Sequence, residues 1–346
     1  MELNPKVWVI DSTKMGTYMD CPRKFLFEHV LGWSTEEPSY HLTFGIAWHE
    51  AMEVLINSRK DRDKPGYDSD VVPAAFDAFM ASFRERCEER NDELYAPKTP
   101  DNAARALDQY IRHFYQDNFK PIYVEISGSV PVSAGRHGSL PFFYRIDAVV
   151  EDARGTYFME HKTSSRGGVT WQAEWVQAIQ PGLYMHVLRA IGLENAFGVI
   201  NGAFLRNAPK LKKNGEPYAG SRDNEFLRVI IKKSNSQMHE WFLTLEHWLE
   251  RLFDDLEKLA YTPEHHVLDQ EVLVTFPKQP RSCTKYGICP YFDICTASPN
   301  PVAWESAHQL PTGYVHRFWD PRELDTEGTT VINVEGDSDG STHPKA

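Results

Sequence analysis

Residues 142–163 read FFYRIDAVVEDARGTYFMEHKT: two runs rich in aromatic and β-branched residues, 142–152 and 156–163, joined by Ala153-Arg154-Gly155. Such runs around a short glycine-bearing turn predict a β-hairpin. Side chains alternate along a strand, so Glu160 and Lys162 share one face and His161 takes the other. The turn brings Asp147 of the first arm towards Glu160 of the second. Two acids and a lysine on one face are expensive to bury without partners. A hard divalent cation, Mg²⁺ or Mn²⁺, relieves that cost, because such ions prefer carboxylate oxygen and water. It would also acidify water and stabilise charge on a phosphoryl oxygen. Lys162 then stands where it can orient or deprotonate an attacking water, or neutralise a pentavalent phosphate. Alone, D-x₁₂-E-x-K is a weak pattern, and an exposed hairpin with a cross-strand ion pair is the plain alternative.

Upstream, residues 12–31 predict a helix with Ser12 as N-cap, interrupted at Cys21-Pro22-Arg23-Lys24. Residues 43–57 (TFGIAWHEAMEVLIN) predict an amphipathic helix that carries His49 and, one turn on, Glu53. An imidazole beside two carboxylates suits a mixed Mg²⁺ or Mn²⁺ site; for His49 alone, a hydrogen-bonded surface histidine is the commoner case. It is no zinc-protease motif, because the second histidine is missing. The charged stretch 58–70 is a loop, and 72–95 and 101–118 are helical, the first with Phe76, Met80, Phe83 and Cys87 on one buried face. Residues 122–132 form a strand, with Glu125 expected at its surface. Beyond the hairpin come a helix near 172–192, strands at 196–206 and 224–232, and a long helix over 234–260. Helices, a sheet, a helix against it, then more strands predict an α/β or α+β sandwich. The divisions expected are N-terminal helices at 1–57, a helical insertion at 58–120, a core at 121–262, a cysteine-bearing segment at 263–324 and a disordered tail at 325–346.

Cys283, Cys289 and Cys295 fall at regular spacing in RSCTKYGICPYFDICTAS. Three thiolates need a fourth ligand to complete an iron–sulfur cluster or a tetrahedral zinc, and Cys21 is the candidate. Cys87, on its Phe/Met stripe, fits a buried free thiol instead. Joining Cys21 to Cys283 closes a loop at an entropic cost of about 5 kcal/mol. A structural metal offsets that with roughly 10–16 kcal/mol of apparent binding free energy.

The composition, 41% hydrophobic and 25% charged, is that of an ordinary globular protein. The N-terminal stretch lacks a signal-peptide pattern, no apolar run reaches bilayer length, and a cytoplasmic, non-membrane location is expected. A net charge of −12 argues against a protein that coats nucleic acid and leaves one that handles an end. The local basic excess lies at 206–233: Arg206, Lys210, Lys212, Lys213, Arg222, Arg228, Lys232 and Lys233 around Tyr218. Such a loop suits a phosphate backbone, with an aromatic ring for stacking, although a solvated connection explains it equally well. Arg23 and Lys24, beside Cys21, are further candidates for DNA contact. No Walker-A pattern occurs, so the chain does not power its own unwinding.

In order, C-P-R-K, G-x-x-x-H-x-x-x-E, R-I-D, E-x-K-T, Q-x-x-x-Y and the cysteine triad resemble the RecB-like branch of the PD-(D/E)XK nuclease superfamily over roughly residues 10–298. The chain is most similar to its iron–sulfur members, such as the AddB nuclease domain and the CRISPR-associated and phage RecB-like exonucleases. The resemblance implies a restriction-endonuclease-like mixed sheet flanked by helices. It implies metal ligands at His49, Asp147 and Glu160, with the backbone carbonyl of His161 as a possible addition, and Lys162 as catalytic lysine. Gln180 and Tyr184 would position the DNA or the lysine, and Cys21, Cys283, Cys289 and Cys295 would hold a [4Fe–4S] cluster. The implied activity is a DNA exonuclease of phage or bacterial recombination and repair, partnered by a single-strand annealing protein or a separate helicase. An endonuclease that trims DNA for integration, and a catalytically silent iron–sulfur DNA-binding protein, are the rivals. Two features depart from the family pattern. Five residues, rather than two, separate the second and third cysteines, and Pro181-Gly182 sits inside Q-x-x-x-Y, so the helix there is expected to kink or to begin.

Overall fold

The computed structural model describes residues 3–37, 39–194, 196–210, 212–214, 218, 222–261, 274–285, 287–297, 310–324 and 329–335. Its centre is a seven-stranded mixed sheet in the order β7-β6-β5-β4-β3-β9, with β1 paired to β4 off that path. The strands are β1 (Ile10–Asp11), β3 (Lys120–Ser133), β4 (Ser139–Asp152), β5 (Gly155–Ser164), β6 (Phe197–Phe204), β7 (Glu225–Ile231) and β9 (Thr330–Asn333). β2 (Trp33–Thr35) and β8 (Tyr314–His316) form a separate antiparallel ribbon. β3, β4 and β5 run antiparallel in succession, β6 joins β5 in parallel, and β7 returns antiparallel. This is the mixed α/β arrangement expected.

The helices are α1 (Ser12–Asp20), a short α2 (Pro22–Phe25), α3 (Tyr40–Asn57), α4 (Val71–Arg84), α5 (Pro100–His113), α6 (Val169–Gln177), α7 (Ile179–Ala190), α8 (Asn235–Tyr261) and α9 (Phe292–Ala297). α1 is capped by the Asp11 carboxylate on Lys14 N–H, so the cap lies one residue before Ser12. It stops at Asp20 because Pro22 has no amide hydrogen to continue the ladder; α2 and a π-turn over Leu26–Val30 follow. α4 ends at Arg84, and its buried residues are Ala75, Phe79 and Phe83, a face shifted from the expected one; Phe76 and Met80 are only partly buried. Cys87 is a buried free thiol. The helix expected near 172–192 is two helices, broken at the extended Ala178.

One core joins α1, α7 and α8 to the sheet through residues such as Tyr18, Leu188, Leu249, Ile146 and Phe158. The opposite face packs Ile56 of α3 on Val150, Tyr157 and Met159, and α3, α4 and α5 form a helical core beyond it. α3 exists as a helix because Ser39 caps it and Phe44, Ala47, Ala51 and Leu55 repeat at helical spacing.

Residues 330–333, placed in the tail expected to be disordered, form edge strand β9 parallel to β3. Gly128, at φ +142°, permits this approach: a Cβ there would lie 1.9 Å from the Ile332 carbonyl oxygen. Residues 325–328 and 336–346 of that tail lie outside the described residues, as do 263–273, 286 and 298–309 of the expected cysteine-bearing segment. Among the described residues no helix is long and apolar enough to cross a membrane.

Candidate active site

The hairpin forms as expected, but its ladder is short. β4 and β5 pair only from Ala148↔Met159 to Asp152↔Gly155. Earlier in β4, Phe142 and Phe143 pair with β1 instead. The two arms therefore separate at Asp147, and the carboxylate of that residue takes the place of a ladder partner: Oδ2 accepts the His161 amide at 2.7 Å. The neighbouring strand is irregular at the same level. Glu125 lies opposite Asp147, between Val124↔Ala148 and Ile126↔Ile146, at φ +52°. It is the one non-glycine residue with positive φ among those described. Ile126 and Ile146 pack on the α7–α8 side, whereas Val124 and Ala148, two residues away, pack under α3. Both strands thus switch faces at Glu125 and Asp147, which strict alternation does not allow.

His49 of α3 meets Asp147 here, Nδ1 to Oδ1 at 3.0 Å. Burial opposes charge on the imidazole, yet Asp147, with Glu160 behind it, holds His49 above its ordinary value. For Asp147 burial works upward, but His49, then His161 and Lys162, bring it down to about 2. Glu160 is 2% exposed; burial and Asp147 raise it, and Lys162 opposes them. Lys162 Nζ reaches Glu160 Oε1 at 2.5 Å and lies 5.1 Å from the Trp175 ring centre. Glu160 Oε2 is buried with no hydrogen-bond partner among the described residues.

Pro181 is the third residue of α7, so the helix begins there rather than kinking, and Gln180 and Tyr184 share a face. Gln180 Nε2 donates to Glu160 Oε1 (3.3 Å) and to the Tyr184 hydroxyl (2.7 Å), and that hydroxyl donates to the Arg145 carbonyl. The pair grips Glu160, not the lysine directly. The His161 ring points the other way, as alternation demands, to within 6.3 Å of Tyr110, and burial depresses it to about 3. Its imidazole nitrogens make no hydrogen bond among the described residues.

Three residues of this neighbourhood escaped the sequence reading. Glu125 is 7% exposed, bonded to Arg145 Nε at 2.6 Å, and lifted to about 7 by burial and Asp147. The surface position expected for it is wrong, because the face switch turns it inward. Lys98, from the insertion, is 7% exposed, pushed down to about 8 by burial, and donates to Thr163 Oγ1 at 3.2 Å, one residue past Lys162. Trp175 covers Lys162. Only the proximity of Glu125 to the hairpin was a signal in the chain.

Of the expected DNA contacts, Arg23 is 2% exposed, with Nε bonded to the Phe276 carbonyl, so its guanidinium packs inside the cysteine region and is not offered to phosphate. Lys24 is half-exposed and pairs with Glu28. Arg228 is committed to Asp117, through bonds of 2.5 and 2.6 Å. Lys210 and Arg222 are exposed and line a cavity with Arg206 and Tyr218; Lys212 and Lys213 are exposed nearby.

The cysteines are drawn from both ends to one region. The segment after Phe276 docks on residues 20–23: Arg23 N–H donates to Pro277, Ser282 Oγ to the Asp20 carbonyl, and Lys285 pairs with Asp20. Cys21, Cys283, Cys289 and Cys295 are all half-buried free thiols. Burial raises Cys289 and Cys295, and the thiols of Cys21 and Cys283 add to both shifts. Among the described residues, however, no three His, Cys, Asp or Glu side chains are spaced to hold a metal ion, at the cysteines or at the hairpin. At the hairpin the donors are engaged with each other as ion pairs. The donor set there still fits a hard cation: two carboxylates and an imidazole, with a buried carboxylate oxygen that has no hydrogen-bond partner among the described residues.

Two buried acids and a lysine set on a splayed hairpin, with a helix histidine closing them, mark a nuclease-like class of α/β protein. Family comparison agrees: a model of the PD-(D/E)XK nuclease superfamily matches residues 12–296, and the chain belongs to that superfamily. Solved structures similar to it include the following two. A provisionally named exonuclease from Eubacterium rectale is 13% identical, with 76% of this chain and 89% of that one covered at a TM-score of 0.40. SSO0001 is also 13% identical, with 59% and 80% covered at a TM-score of 0.25. Likeness at that level says nothing of activity. No curated protein matches the chain.

Proposed function

We propose that the protein is a metal-dependent DNA exonuclease of the RecB-like kind, hydrolysing phosphodiesters from a strand end in phage or bacterial recombination and repair. The observation that carries the reading is the meeting of His49, Asp147, Glu160 and Lys162, from one helix and two strands, around a buried carboxylate oxygen without a hydrogen-bond partner among the described residues. Nucleases of the superfamily generally use Mg²⁺ or Mn²⁺, and His49, Asp147 and Glu160, with the His161 carbonyl, would hold it here. Such an ion supplies Lewis acidity at a phosphoryl oxygen and eases deprotonation of water.

The chain's own groups do the rest. Lys162, held by Glu160 and Trp175, presents its ammonium to the phosphate, where it stabilises the charge that builds in the transition state. Gln180 and Tyr184 fix Glu160, and the bond from the His161 amide fixes Asp147, so neither carboxylate must reorganise during the reaction. Lys24, Lys210, Lys212, Lys213 and Arg222 follow the backbone of the DNA. Cys21, Cys283, Cys289 and Cys295, free thiols drawn to one region, would hold a [4Fe–4S] cluster and so tie the ends of the chain together. A single-strand annealing protein or a separate helicase supplies or receives the strand.

The test is cleavage by the purified protein with Mn²⁺. Linear DNA should be degraded to nucleotides and closed circles spared, and Lys162→Ala should lose activity by about a hundredfold or more while still folding. Nicking of circles would make it an endonuclease; unchanged activity in the variant would sink the site assignment.

A further inference from the structure

A cavity of about 510 Å³ opens where β6 ends, lined by Arg206, Asn207, Pro209, Lys210, Tyr218 and Arg222. Its size lies within the roughly 300–1,000 Å³ of small-ligand sites. Its floor is rigid. The Arg206 amide donates to Asn224 Oδ1 at 2.8 Å, and the Arg206 carbonyl accepts from Asn102 Nδ2 and Arg105 Nη2 at 3.0 and 2.7 Å. Asn102 and Asn224 are both buried, and they bond to each other. Arg206 itself reaches back to the Ser165 carbonyl, and its Nε is buried without a hydrogen-bond partner among the described residues.

Three cations face this space, while Asp223 and Glu225 nearby pair with Arg105 and Arg206. Tyr218 is 56% exposed, so its ring is available for stacking. The cavity also lies in line with the hairpin. Lys162 pairs with Gly202 and Ser164 with Phe204, and the next residue of each strand leads to Ser165 and Leu205. At strand rise, Ser165 is ~10 Å from Lys162.

We propose that this cavity is a subsite for an unpaired nucleotide of a DNA strand, whose phosphate lies among Arg206, Lys210 and Arg222 and whose base stacks on Tyr218. The assignment rests on the nuclease reading above and adds to it a preference for single strands on this side of the scissile bond. A base still paired in a duplex offers no free face to Tyr218, whereas an unpaired one of any identity does.

Fluorescence anisotropy of the full chain, without divalent cation, on a short labelled oligothymidine and on a duplex of equal length tests this. Tyr218→Ala should weaken oligothymidine binding by about tenfold while moving duplex binding by less than about twofold. Arg222→Ala should weaken both and flatten their salt dependence. Unchanged oligothymidine binding in Tyr218→Ala, or an equal loss on duplex, would overturn the subsite. Both variants change exposed side chains, and circular dichroism confirms their folding. Cleavage of linear DNA by the unaltered protein, measured in parallel with Mn²⁺, fails separately if the chain is no nuclease.

Discussion

At the scale of single residues, Lys98 is the most informative group outside the expected set. Its folded value of about 8 lies below the ordinary 10.5, so the folded protein sheds this proton first as pH rises. Below about pH 8 both states hold the proton and the full cost of burying it is present. Between there and 10.5 the unfolded chain holds more protons, and stability rises with pH. The difference is worth about 3 kcal/mol, less the bonds to Thr163. Lys98→Met should therefore stabilise the protein by roughly 2 kcal/mol at pH 7, a gain that fades towards pH 10.5. Urea unfolding at pH 7 and pH 10 measures it, and an equal gain at both would refute it.

At the scale of elements, the start of α7 sets the geometry of Glu160. Trp241 of α8 is buried and donates its indole N–H to the Ile179 carbonyl at 3.2 Å. Gly182 leaves room for that ring: a Cβ there would sit 2.2 Å from Trp241 Nε1. Gly182→Ala must push α7 and α8 apart, at a cost of about 1–3 kcal/mol, and carry Gln180 away from Glu160. Denaturant unfolding and cleavage rate should both fall. A variant with native stability would mean that the helix junction yields more easily than its packing suggests.

At the scale of the whole molecule, the cysteine region closes the chain on itself, joining residues 20–23 to the segment after Phe276. If the four thiols hold an iron–sulfur cluster, protein prepared without oxygen should be brown and contain iron and sulfide. Cys283→Ser should bleach it and lower its thermal midpoint. Colourless protein loaded with zinc would replace the cluster with a different metal.

The chain by itself determined the hairpin, the placing of Asp147, Glu160 and Lys162 on its two arms, and the helix that carries His49. Each is written in local periodicity, turn residues or ligand type, which neighbours along the chain decide. Tertiary structure alone decided that β4 leaves β5 for β1 at Asp147, that Glu125 turns inward there, and that Arg23 is buried while Arg206, Lys210 and Arg222 share a cavity. Alternation assumes an unbroken strand, and burial depends on what packs against a residue from far along the chain. A split ladder breaks the first and distant partners set the second, so neither could be read from sequence spacing.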